Sequence, residues 1–225
     1  MTKQERLEKM KADLVRMTEI EKTLYRDGFQ GRKVDIIAGM DEVGRGPLAG
    51  PVVTAAVVLP RDFSLLGVND SKKLTEKRRE EMYFEIMDCA LEVSIGMRDS
   101  VIIDRINILN ATKEAMADAV NGLKTRPDIV LIDALEIEGT DIPQIGIIKG
   151  DSKSVSIAAA SIIAKVTRDR MMIEYAEKYP WYAFEKNKGY GTKAHYEGLD
   201  EKGPCPIHRR SFLVKYFENR SIKGR

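Results

Sequence analysis

Four acidic residues stand where apolar runs end, and they are the part of this 225-residue sequence best suited to chemistry. Asp41 and Glu42 close the run Ile36-Ile37-Ala38-Gly39-Met40, and Asp133 closes Ile129-Val130-Leu131-Ile132. Asp151 sits in Lys149-Gly150-Asp151-Ser152-Lys153, just beyond a fifth apolar run at 144–148. Each has an ordinary structural reading. The Asp41-Glu42 pair reads as a polar strand end before a turn, and Asp151 taken alone reads as a helix N-cap. Neighbours on a strand face opposite ways, so both acids of the pair serve one site only where the strand twists or ends. Gly44-Arg45-Gly46-Pro47 supplies such an ending. Taken together, three strand ends deliver carboxylates to the edge of a sheet where α/β proteins gather their ligands. Clustered acids repel and raise one another's pKa, and a divalent cation removes that conflict. All-oxygen ligation suits Mg²⁺ or Mn²⁺. Two such ions, about 3.5–4 Å apart, serve the attacking water and the leaving oxygen of phosphodiester hydrolysis, with no protein nucleophile. The sequence has no G-x-S-x-G elbow, Walker A loop or H-E-x-x-H helix to suggest another route.

The elements that must position these acids can be read from periodicity. Residues 36–40 and 51–59 are short apolar runs rich in β-branched residues, punctuated by Gly and Pro, and are predicted as buried strands joined through 44–50. A helix is predicted over 74–90, with Thr75 as a capping residue, then a third strand over 91–97. Two short helices at 101–106 and 111–123 precede strands at 129–133 and 144–148. A long helix is predicted from Val155 to about Tyr179; its early Ala158, Ala159, Ala160 and Ser161 permit close approach to a sheet. Short helices and loops follow Pro180. Before all this, Leu7, Met10, Leu14, Met17 and Leu24 recur at near-helical spacing, as one amphipathic helix or two short ones ended by Gly28 and Gly31. The pattern is a mixed α/β sheet layered with helices. It divides into a helical N-terminal extension over 1–34, a catalytic core over 35–180 and a helical C-terminal region over 181–225.

Composition excludes several classes. An apolar fraction of 43% and a charged fraction of 32% fit a globular protein. The start of the chain is charged from Lys3 and lacks the apolar stretch of a secretory signal, and no apolar run approaches a bilayer span, so a cytoplasmic location is expected. Cys89 and Cys205 are far apart and form no C-x-x-C pair, and His195 and His208 are the only histidines, so zinc and disulfide frameworks are not expected. The net charge of +2 does not itself announce a nucleic-acid partner. From Glu201 onward, seven Lys or Arg face two Glu, a tail that suits phosphates or plain solvent equally.

Over roughly residues 35–212 the chain resembles type 2 ribonuclease H, the bacterial ribonuclease HII family. The motifs carrying the resemblance begin with Ala38-Gly39-Met40-Asp41-Glu42-Val43-Gly44-Arg45-Gly46-Pro47-Leu48-Ala49-Gly50-Pro51, followed by Asp70-Ser71-Lys72-Lys73-Leu74 and Leu131-Ile132-Asp133. Lys149-Gly150-Asp151-Ser152-Lys153 with its Ala-rich helix comes next, then Lys188-Gly189-Tyr190-Gly191-Thr192 and His208-Arg209-Arg210-Ser211-Phe212. The resemblance implies a ribonuclease H-like fold with a five-stranded mixed sheet flanked by helices and a small helical C-terminal region. It implies that Asp41, Glu42, Asp133 and Asp151 bind Mg²⁺ or Mn²⁺. It further implies cleavage on the 5′ side of a ribonucleotide, leaving 3′-hydroxyl and 5′-phosphate ends, in RNA–DNA hybrids and at single ribonucleotides in duplex DNA, by a monomer.

In that family the loop matching Gly44-Arg45-Gly46 contacts the ribose 2′-hydroxyl, the group that separates RNA from DNA. The tyrosine matching Tyr190 stacks on the sugar of the next deoxynucleotide; as a plain residue it reads as a half-buried loop aromatic. Ser71, Lys72, Lys73, Ser152 and Lys153 stand where backbone phosphates are held, which makes binding salt-sensitive. Lys72 and Lys73 read alternatively as a solvated pair at a helix start. The extension is too short for the extra sheet-containing domain of ribonuclease HIII. Two rival readings are transposase, integrase or resolvase chemistry on the same sheet, which needs no 2′-hydroxyl sensor, and a non-catalytic binding module, which gains nothing from clustered acids.

Overall fold

The computed structural model describes residues 2–69, 71 and 74–223. Asp70, Lys72 and Lys73, named above, lie outside the described residues. Five strands form one sheet: β1 (Ile37–Val43), β2 (Val52–Val58), β3 (Glu92–Arg98), β4 (Ile129–Asp133) and β5 (Gln144–Ile147), in the order β3-β2-β1-β4-β5. β1 pairs antiparallel with β2 and parallel with β4, β2 pairs antiparallel with β3, and β4 pairs parallel with β5. The sheet is therefore mixed, and its two central strands are apolar on both faces. Along β1 and β2, Ala38, Met40, Ala56 and Val58 join one core cluster with Met116 and Ala119 of helix α5 (Ile108–Asn121). The alternate residues Ala55 and Val57 pack on the other face with Ala158, Ile162 and Ile163 of helix α6 (Val155–Lys178).

Helix α6 can lie close to the sheet because its first turns are small. A Cβ placed on Gly39 would stand 2.1 Å from the Ser156 carbonyl carbon, so any side chain there displaces the helix. Ser154 caps α6 by accepting from the Ile157 N–H at 3.3 Å. The helix stops at Tyr179, before Pro180, where the proline ring disfavours a helical predecessor. The amphipathic N-terminal segment resolves into two helices, α1 (Lys3–Met17) and α2 (Glu19–Asp27), and Gly28, at φ +74°, caps α2. Met17 joins the α6 side of the core, and Leu24 packs with Ile37, Ile129, Leu131 and Ile157.

Helix α3 (Glu76–Cys89) packs Met82 and Ile86 beneath α6, and α4 (Ser100–Ile106) leads into α5. After α6 come α7 (Phe184–Asn187), α8 (Lys193–Lys202) and α9 (Val214–Lys223). Ala49, Met172, Tyr182, Phe184, Leu199 and Leu213 form a cluster that ties this region to the loop after β1. No described helix is long and apolar enough to cross a membrane.

Candidate active site

Strand β1 does not end at its acids. It runs through both of them to Val43, and Asp41 and Glu42 still pair with Ala55 and Thr54 of β2. The ending occurs on the other flank, because the parallel β1–β4 ladder stops at Met40 opposite Ile132. The next residue of each strand is an acid, Asp41 and Asp133. Period-two alternation puts Asp133 on the face of Leu131, which packs with Ile157 of α6. Asp41 lies on the same face, where the Ser161 hydroxyl of α6 stands near enough to its carboxylate to favour the charged form.

Asp151 stands in a turn whose backbone is tied to the end of β4. It stands in a 3-10 turn, Gly150–Ser152, after Lys149 adopts a left-handed φ of +57°. The Gly150 N–H donates to Asp133 Oδ1 at 2.9 Å, which locks the turn carrying Asp151 to the end of β4. Asp151 is not the N-cap of α6. Ser154 takes that position, three residues later, and leaves the Asp151 carboxylate outside the helix start.

The electrostatics are those of acids pressed together. Burial pushes Asp41 well above the usual carboxylate range; Glu42 and then Asp133 add repulsion, while the Ser161 hydroxyl and the Glu42 N–H, 2.8 Å from Asp41 Oδ1, oppose it. Burial also raises Glu42, against the nearby Arg45 guanidinium, whose Nη1 is 3.2 Å from Glu42 Oε1. The other oxygen, Glu42 Oε2, is buried and has no hydrogen-bond partner. An unpartnered buried carboxylate oxygen costs free energy unless something outside the chain meets it. Among the described residues no three His, Cys, Asp or Glu side chains are grouped so that they could hold a metal ion as they stand. The donor chemistry nonetheless fits a hard divalent cation: oxygen donors only, a buried orphan oxygen and carboxylates that repel one another.

Beside the acids lies the loop that follows β1, held by side chains from distant parts of the chain. Gly44 takes a φ of +93°, and a Cβ there would strike Arg168 Nε at 2.3 Å. Arg168 and Arg209 are both fully buried, and the groups they bond are backbone carbonyls. Arg209 donates to Gly44 O at 2.5 Å, Arg45 O at 3.0 Å and Gly50 O at 3.0 Å from Nε. Arg168 donates to Pro51 O at 2.8 Å, Ala49 O at 3.1 Å and Lys188 O at 2.8 Å. Burial draws Arg209 down to about 9 and Arg168 to about 10, so both remain charged at neutral pH. In a trans peptide the carbonyl and the following N–H point opposite ways. With the Gly44 and Arg45 carbonyls turned inward onto Arg209, the Arg45 and Gly46 N–H groups turn away from it, in a stretch where both residues are exposed.

Tyr190 borders that stretch. Its ring edge is 3.5 Å from where a Gly46 Cβ would be, and the residue is 46% exposed, so a ring face is available for stacking. Its backbone is held by a directed chain of imidazoles. The Cys205 N–H donates to His208 Nδ1 at 2.9 Å, which leaves His208 Nε2 to donate to His195 Nε2 at 2.9 Å, and His195 Nδ1 to donate to Tyr190 O at 2.9 Å. Burial lowers both histidines, His208 to about 4, in keeping with two neutral rings.

Of the residues expected to hold phosphates, Ser71 is buried and its hydroxyl is 2.9 Å from that of Ser161, the residue near Asp41. Ser152 is half-buried, and Lys153 is exposed beside Asp151. Sequence reasoning missed Ser161, Arg168 and the Tyr190-directed role of the histidines. Arg209 lay within a quoted motif with no role attached. Nothing in the chain marks Arg168, whose partners are 20 and more residues away.

The sheet order and the acids at its strand ends define a chain of the ribonuclease H-like class. The solved ribonuclease H2 from Pyrococcus horikoshii OT3 shares the fold at a TM-score of 0.68 and 29% identity, covering 83% of this chain and 98% of that one. The family model for ribonuclease HII matches residues 38–215. The ribonuclease HII of Ligilactobacillus salivarius (strain UCC118) is 54% identical over 207 residues, 92% of this chain and 79% of that protein. That of Bacillus subtilis (strain 168) is 53% identical over 212 residues, 94% of this chain and 81% of that protein. The chain belongs to the ribonuclease HII family. It is a type 2 ribonuclease H, a hydrolase acting as an endoribonuclease on RNA–DNA hybrids.

Proposed function

We propose that this enzyme, beyond cutting the RNA strand of hybrids, incises on the 5′ side of single ribonucleotides embedded in duplex DNA, leaving 3′-hydroxyl and 5′-phosphate ends. The observation that carries this reading is the adjacency of two unlike devices. Asp41, Glu42 and Asp133 stand at neighbouring strand ends, one with an orphan buried oxygen, beside a loop whose peptide N–H groups face outward next to an exposed tyrosine.

Asp41, Glu42, Asp133 and Asp151 would hold Mg²⁺ or Mn²⁺. When bound, the ion supplies Lewis-acid stabilisation of the charge that develops on the phosphodiester oxygens. The chain's own residues do the rest. The Glu42 N–H fixes the orientation of the Asp41 carboxylate, and the Gly150 N–H fixes that of Asp133. The Gly44-Arg45-Gly46 loop presents donors to a ribose 2′-hydroxyl, a group that deoxyribose lacks. Tyr190 stacks on the sugar of the following deoxynucleotide, so loop and ring together read an RNA-to-DNA junction. Ser71, Lys72, Lys73, Ser152 and Lys153 hold backbone phosphates and set the register of the duplex. In this reading 35–180 is the catalytic core, 181–225 completes the substrate cleft, 1–34 is an extension, and the enzyme acts as a cytoplasmic monomer.

The test is incision of a duplex carrying one ribonucleotide, with Mg²⁺, with Mn²⁺ and with chelator. Cleavage 5′ of the ribonucleotide with either ion and none with chelator is expected. Equal cutting of an all-DNA duplex would favour resolvase-type chemistry instead.

A further inference from the structure

The N-terminal helices lie outside the residues that the family model matches, 38–215, yet they touch the segment that carries Asp151. Two side chains make the contact. Arg16, in the last turn of α1, donates from Nη1 to the Ser152 carbonyl at 2.9 Å. Glu21, in the first turn of α2, is only 5% exposed. Its Oε1 accepts from the Ser154 hydroxyl at 2.5 Å and from the Ser156 N–H at 3.0 Å.

These contacts add to the bond that ties the same turn to β4, Gly150 N–H to Asp133 Oδ1 at 2.9 Å. Within itself it closes through the Lys153 and Ser154 N–H groups, both 2.9 Å from Gly150 O. The Ser154 hydroxyl is the hinge point, because it caps α6 and also donates to Glu21. Releasing Glu21 would free that hydroxyl and loosen the three-residue link between Asp151 and the helix. The other Glu21 oxygen, Oε2, is buried without a hydrogen-bond partner. A charge kept in so costly a place is weak evidence for stability and better evidence for a fixed geometry. The negative charge also faces the N-terminus of α6, where the helix dipole favours it.

We infer that Arg16 and Glu21 are positioning residues for the site: the two N-terminal helices clamp the 150–154 turn and thereby set where the Asp151 carboxylate stands. This rests on the reading of Asp151 as one of the ion-binding acids. Removing a partner that orients a ligand typically lowers ion affinity by about ten- to a hundredfold.

The experiment uses the full chain, with Mn²⁺ binding followed by calorimetry in the absence of substrate, amide hydrogen exchange over 150–154, and kcat and KM on an RNA–DNA hybrid. Glu21→Ala is expected to weaken Mn²⁺ about tenfold, speed exchange in the turn and lower kcat with KM little changed. Glu21→Gln keeps the shape but accepts more weakly, and should lose about threefold. Arg16→Ala, near the surface, should lose about twofold, and Arg16→Lys should recover part of it. If Glu21→Ala does not fold, the Gln and Arg16 variants decide. Wild-type Mn²⁺ affinity and turn exchange in all of them, alongside a lower Tm, would make the N-terminal helices a stabilising element only and overturn the inference. Asp151→Asn separates the two readings. Unchanged ion affinity there removes Asp151 from the site and the clamp's role with it, whereas a loss there with none in the Arg16 and Glu21 variants overturns the clamp alone.

Discussion

The acid cluster and the loop beside it are held by different means. Asp41, Glu42 and Asp133 extend from central strands, so the β1–β4 register sets their positions before any side chain is chosen. The 44–51 loop has no such frame. It is held by two arginines and by isolated backbone bonds, such as Leu48 N–H to Gly189 O at 2.8 Å and Gly50 N–H to Ile207 O at 2.9 Å. A sheet-held acid tolerates replacement with little movement. A loop hung on guanidinium groups moves when one is lost. On the proposed function, chemistry and recognition therefore have separate points of failure.

The largest break should come from Asp41→Asn. Turnover should fall at least about a hundredfold, the equivalent of about 3 kcal/mol, while duplex binding in a fluorescence anisotropy titration stays near wild type. Near-normal turnover would remove Asp41 from the site. The same variant sharpens the physical account in the ion-free protein. The folded pKa of Asp41 lies above its unfolded value because of burial, so its contribution to stability is present below the unfolded value of 3.8 and is lost as pH rises through the folded one. The Asn variant should therefore melt a few degrees higher than wild type at neutral pH, a difference that shrinks toward pH 4. A Tm advantage that is flat with pH would contradict the burial argument.

On the loop side, Arg209→Ala should cost about 3 kcal/mol in a denaturant titration, because several buried carbonyls lose their donor. Arg209→Lys cannot span three carbonyls and should restore folding better than it restores preference for a ribonucleotide. If preference and stability fall in proportion in both variants, the loop is not a separate recognition device. Tyr190→Ala should reduce incision at a single ribonucleotide about tenfold and cleavage of a long hybrid less, since one stacking contact is lost. Equal losses on both substrates would argue against junction reading.

Ion affinity gives a smaller effect. Because the Asp41 and Glu42 pKa values are raised, the ion must displace protons, so Mn²⁺ affinity should climb as pH rises through those values and then level off. Calorimetry in two buffers of different ionisation heat would count the protons released, and a count of zero would contradict the raised values. Smallest of all, Lys153→Ala should lower the slope of log affinity against log salt by about 0.9, the share of one phosphate contact.

Much of this was legible in the chain. Short apolar runs gave all five strands, and the small residues of α6 announced its close approach to β1, which the Gly39–Ser156 contact realises. The acids at the run ends, and the motifs around them, pointed to the family before any coordinates. Such signals are local: a strand, a cap or a motif is written in neighbouring residues, and period and composition reveal it. What only the tertiary structure decided is which distant groups meet. The continuation of β1 through Asp41 and Glu42, the transfer of the N-cap from Asp151 to Ser154, the carbonyl grip of Arg168 and Arg209, and the contact of Glu21 with Ser154 all join residues far apart in sequence or hang on a choice between adjacent ones. A buried arginine and a solvated one have the same letter, and their environment differs only once the chain has folded around them.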